Sequence, residues 1–169
     1  MGAATQMQFM WTCFEFFLVL NAVLAFFFFV RVARGSGQQR AIMMACRLGD
    51  LEEVKYLLRT VPWLAQQPDG NGLTPLHVAA LGGHDEIVHL LLRYKSEPNF
   101  KNNSGMTALH AASIAGHVET ARLLLLHGAR PNEQDNRGNT PLYCATWDGH
   151  AEMVKLLENT FRAVNIGLV

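Results

Sequence analysis

Apolar and polar residues are arranged along this chain in two different ways. From Met7 to Val30 apolar side chains follow one another almost without a break, with Glu15 the single charge and Asn21 the one strongly polar interior residue. At about 1.5 Å rise per residue such a stretch makes a helix of roughly 36 Å, enough to cross a hydrocarbon layer of about 30 Å. The uncharged part from Phe16 to Val30 falls short on its own, which places Glu15 near one interface beside the amphipathic ring of Trp11. Arg31 and Arg34 close the other end and lead into Gly35-Ser36-Gly37. Basic residues that flank a span stay on the cytoplasmic side, so the pattern predicts a single-pass membrane helix with the rest of the chain facing the cytosol. A cleaved signal peptide has positive charge before its apolar run and small residues after it, the reverse of this order. Gly2 is no acylation site, because the motif wants Ser or Thr where Gln6 stands. Nor does the stretch read as a core helix, since Phe26 to Phe29 make it apolar on every side.

Beyond Arg40 the apolar spacing becomes that of amphipathic helices. Leu76, Ala79 and Ala80 mark a short helix, and Ile87, Val88, Leu91 and Leu92 a longer one. The pair then recurs. Thr74-Pro75-Leu76-His77 returns as Thr107-Ala108-Leu109-His110 and Thr140-Pro141-Leu142-Tyr143, at a step of 33 residues. Gly72, Gly105 and Gly138 keep that step, as do Gly83-His84, Gly116-His117 and Gly149-His150. Residues 40–60 hold an earlier copy that has lost the Thr-Pro-Leu-His word but keeps the second-helix pattern. The local chemistry explains each word. Thr74 is an N-cap, Pro75 sits at the first helical position where a missing N–H costs nothing, and glycine serves where the chain turns with positive φ.

A unit of this length carrying Thr-Pro-Leu-His resembles the ankyrin repeat, and the resemblance covers residues 40 to about 160. It implies an all-α repeat solenoid of about four stacked helix-turn-helix units, preceded here by one hydrophobic helix. The expected organisation is a tail over 1–6, a transmembrane helix over 7–30, a basic Gly/Ser linker over 31–39 and repeats at about 40–68, 69–101, 102–134 and 135–169. The first unit is expected to cap the stack. After Leu156-Leu157 the usual Gly-Ala loop is missing and an apolar tail begins at Phe161. That tail either folds back over the last helix pair, seeks another chain, or marks a shortened form of a longer array.

Charge and composition narrow the function. With 14 basic and 14 acidic residues the formal net charge is zero, which gives no field to attract a nucleic acid. Cys13, Cys46 and Cys144 are widely separated and form neither a CxxC pair nor a Cys/His cluster, so the pattern predicts no disulfide framework and no metal site. Five of the seven histidines fall in the repeated words, which gives them scaffold roles bridging loops and neighbouring repeats. Cys46 and Cys144 occupy small-residue helical slots suited to a buried filler, and no nucleophile elbow, P-loop or paired carboxylate motif is present. No catalytic residue, cofactor or small-molecule substrate is therefore expected.

In ankyrin-like proteins partners are held by the loop tips and the exposed side of the first helices. The resemblance places Leu81, Ile114 and Trp147 in one slot just after the short helices, and Leu73, Met106 and Asn139 in another before each Thr. With Arg137 and Asp148 beside them, these residues predict a concave groove for an apolar segment of a protein partner. The expected function is a membrane-tethered, non-catalytic interaction adaptor or scaffold. The alternatives are a regulatory ankyrin portion of a larger membrane protein, such as a channel or acyltransferase, and a soluble ankyrin-type inhibitor.

Overall fold

The computed structural model describes residues 37–165; the expected span over 7–30 and linker residues 31–36 lie outside the described residues. Helix α1 runs over 37–48, reaching three residues into the expected linker. It is followed by α2 (Leu51–Thr60), a 3₁₀ turn (Pro62–Gln66), α3 (Pro75–Gly82), α4 (Asp85–Arg93), α5 (Ala108–Ala115), α6 (Val118–Leu126), α7 (Pro141–Trp147) and α8 (Ala151–Asn165). No strand occurs among the described residues. The loop tips before the first helices are turns, held to one another by backbone hydrogen bonds.

The helices stack as two layers. α3 packs on α5 and α5 on α7, while α2 packs on α4, α4 on α6 and α6 on α8; within each unit α3 meets α4, α5 meets α6 and α7 meets α8. Ala79, Ala80 and Ala112 are fully buried, and their small side chains let the first helices approach closely. Leu76, Leu109, Ile87, Leu91 and Leu124 fill the space between layers with almost no exposure, each contributing about 1.5–3 kcal/mol of transfer energy. Cys46 belongs to this core as expected.

Helix ends follow the predicted chemistry, with two differences. Gly83 and Gly116 terminate α3 and α5 in the left-handed region, at φ +68° and +74°. Leu81, Ile114 and Trp147 therefore lie in the last turns of α3, α5 and α7 rather than after them, since α3 and α5 continue to a left-handed glycine and α7 ends on Trp147 with Asp148 as its cap. At the C-terminal end, α8 continues through Asn165 as a single helix of 15 residues, so the chain does not fold back within the described residues.

Candidate functional site: the concave groove

The groove is built on three copies of one turn. Asp69, Asn102 and Asp135 each turn a side-chain oxygen back on the tip. Asp69 Oδ1 accepts from Asn71 N and Leu73 N at 2.8 Å each. Asn102 Oδ1 accepts from Ser104 N and Met106 N, and Asp135 Oδ1 from Arg137 N and Asn139 N. Adjacent tips are laddered, with Asn103 N donating to Asn71 O and Asn136 N to Ser104 O at 3.1 and 3.0 Å. This fixes where Leu73, Met106 and Asn139 stand. Partial burial pushes the Asp135 carboxyl up, but hydrogen bonds from Asn139 and Arg137 outweigh it and hold it below the usual carboxylate range.

Histidines lock the first helices to these tips. The Nδ1 atom of His77 accepts from Thr74 N at 3.3 Å and lies 2.8 Å from Thr74 Oγ1, so Nε2 carries the proton and donates to Met106 O at 3.0 Å. His110 repeats this with Thr107 and with Asn139 O at 3.1 Å. Burial lowers the pKa of both rings, keeping them neutral as this network requires. A second set reaches backwards: His84 Nε2 meets Arg47 O and His150 Nε2 meets Ile114 O, at 3.2 and 2.9 Å. Of the five histidines expected to serve as scaffold, His77, His84, His110 and His150 make forward or backward bridges between repeats.

Two adjoining cavities lie along the face so formed. One, of about 340 Å³, is lined by Leu73, Leu81, Met106 and Ile114 together with Arg47 and Ala111. The other, of about 500 Å³, shares Met106 and Ile114 and adds Arg137, Asn139, Trp147 and Asp148. All eight residues expected from sequence thus line one continuous groove. Their roles differ. Leu81 and Trp147 are the exposed apolar members, at 52% and 78% of their surface, whereas Leu73 packs against the core. Asn139 gives its side-chain amide to Asp135 Oδ2 at 3.1 Å, so its polar group serves the turn.

Residues the sequence reasoning missed complete the second cavity: Asp135, Tyr143 and Cys144. Tyr143 stands where His77 and His110 stand in earlier units, and this break in the period was its visible signal. Its ring stacks on Trp147, with centroids 6.3 Å apart and planes 24° from parallel. Cys144 is half-buried at the cavity wall rather than a buried filler, because α7 is less covered than α3 and α5. Burial raises both thiols, Cys46 to about 12, which makes them poor nucleophiles. Among the described residues no group of three or more His, Cys, Asp or Glu side chains is placed to hold a metal ion.

Comparison with known proteins agrees with this architecture. A stretch of 65 residues, 38% of this chain, is 43% identical to the E3 ubiquitin-protein ligase XBAT33 of Arabidopsis thaliana. The same extent and identity relate it to the probable E3 ubiquitin-protein ligase XBOS32 of Oryza sativa subsp. japonica. The match spans 13% of the length of each relative. The family described as ankyrin repeats (3 copies) matches residues 16–102 and 83–166, beginning within the hydrophobic stretch. The stacked helix pairs, the histidine bridges and this match over most of the chain identify it as a member of the ankyrin-repeat family.

Proposed function

We propose that the chain is a non-catalytic interaction adaptor whose concave groove holds a segment of another protein. The observation that carries this reading is the exposure of Leu81, Tyr143 and Trp147 in one groove, where Leu73 by contrast packs against the core. Exposed aromatic and aliphatic anchors clustered in a concavity are the usual centres of binding energy. The raised thiols and the engagement of His77 and His110 in bridges supply no activated nucleophile or free base along the groove. The ligase activity named for the two relatives is not carried over, because the match covers so little of them.

The test is a thermal melt and a pull-down on one double variant, Leu81→Ala with Trp147→Ala. Both side chains are exposed, so the melt is expected to move little, while binding weakens by about 2 kcal/mol or more, roughly thirtyfold. A variant that melts like the wild type and keeps every partner overturns the groove.

The finer part of the proposal is tethering by residues 7–30 with the repeats on the cytosolic side. It rests on the hydropathy of Met7–Val30 and on Arg31 and Arg34. Among the described residues, no helix is long and apolar enough to cross a membrane. Tethering would raise the local concentration of whatever the groove binds. The full chain is expected to stay with membranes through an alkaline carbonate wash, and release into solution rejects the tether in favour of the soluble alternative.

A further inference from the structure

The two ends of the groove differ in chemistry. Leu81, Ile114 and Trp147 share one slot, and the next residues are Gly82, Ala115 and Asp148; at the tips Asn71, Ser104 and Arg137 correspond, and on the first helices His77, His110 and Tyr143. At these four positions the last repeat thus carries two aromatics and two charges, Tyr143, Trp147, Arg137 and Asp148, all lining the 500 Å³ cavity. The framework does not require these residues, since the preceding repeats fold with small or neutral groups at the same positions of Asp148 and Arg137.

Two aromatic rings stack there with Trp147 78% exposed, and the carboxylates of Asp135 and Asp148 line the same space. Against them stands one guanidinium, Arg137, and none of the three charged groups forms an ion pair among the described residues. The cavity therefore carries one net negative charge beside an electron-rich ring face, the combination that attracts a cation to within about 6 Å of a ring centroid. The adjoining 340 Å³ cavity is mostly apolar, with Leu73, Leu81 and Met106 on its walls.

We propose that the groove recognises a peptide segment with two anchors: an apolar side chain in the cavity between α3 and α5, and a Lys or Arg side chain in the aromatic and acidic cavity on α7. This rests on the groove reading and adds the chemistry of its occupant. Helices packed side by side lie about 8–10 Å apart, so the two anchors must be separated by one such step. A helical ligand meets that with residues seven apart, at about 10.5 Å, and a polyproline-type ligand with residues three apart, at about 9.3 Å.

The experiment selects a phage-displayed library of random twelve-residue peptides on the full chain and measures synthetic versions of the enriched peptides by fluorescence anisotropy. The expected peptides carry Lys or Arg three or seven residues from an apolar residue. Replacing that basic residue by Met in the peptide should weaken binding at least tenfold, a change that leaves the protein's fold untouched. Asp148→Lys should weaken the same peptides by a similar factor, and Leu81→Ala should weaken them as well. Peptides that lose binding with Leu81→Ala but show no basic preference and ignore Asp148→Lys overturn the cationic anchor and leave the groove standing. Absence of any peptide sensitive to either site overturns both.

Discussion

Replacing Gly116 by alanine should separate the cost of a strained turn from the cost of breaking contact between repeats. Gly116 and Gly149 occupy the same place in successive units and share nearly the same backbone, at φ +74° and +77°. An L side chain in this region costs roughly 1–2 kcal/mol at either position. Their surroundings differ. A Cβ on Gly116 would lie 2.6 Å from Nδ1 of His150 and 2.8 Å from its Cγ and Cε1, whereas nothing lies within 4 Å of one on Gly149. The His150 ring would have to move, losing its packing and the 2.9 Å bond from Nε2 to Ile114 O, a further loss of about 1–2 kcal/mol. Gly116→Ala is therefore expected to destabilise by about 2–4 kcal/mol and Gly149→Ala by about 1–2 kcal/mol. Urea unfolding followed by circular dichroism measures both. In a His150→Ala background the Gly116→Ala cost should fall to that of Gly149→Ala, a coupling of about 1–2 kcal/mol. Equal costs for the two glycines, or an unchanged cost when His150 is absent, would refute the account of His150 as the contact between repeats.

Two further expectations concern stability. His77 and His110 have pKa values lowered by burial, so below the ordinary value of 6.5 the unfolded chain takes up protons that the folded sites refuse. Their contribution to stability is complete above about pH 6.5 and is lost as the pH falls toward the folded values. Urea midpoints should drop as the pH falls below about 6.5, and replacing both residues by Gln should flatten that drop. In the last repeat Leu142 is only partly buried, whereas Leu76 and Leu109 are fully buried. Hydrogen exchange should therefore be faster in α7 than in α3 and α5, and a last repeat better protected than these would contradict the burial argument.

Much of the framework was legible because its signals are local. A Thr-Pro pair at a helix start, a glycine where φ is positive and an apolar stripe at helical spacing depend on residues a few positions away, and repetition at 33 residues multiplied each signal. The eight groove residues followed from the same register. The roles of the histidines were legible in kind, since a polar residue kept inside a repeated word has to find a partner when the words are stacked.

What each groove residue does was decided by neighbours from other repeats, which no local pattern reports. Leu73 and Leu81 are the same residue type eight positions apart, yet one lies on the core and the other stands out into the groove. Cys46 and Cys144 read alike as small helical fillers, but α7 leaves Cys144 at a cavity wall. Asn139 looked free to bind and is held by Asp135, whereas Tyr143, standing where earlier units have histidine, turns its ring onto Trp147. The sequence by itself determined the repeat, its helices and the line of positions facing the groove, because those rest on backbone conformation and periodicity. Only the tertiary structure decided which of those positions are exposed, which are engaged and where the charge lies, because exposure and pairing belong to surfaces brought together by stacking.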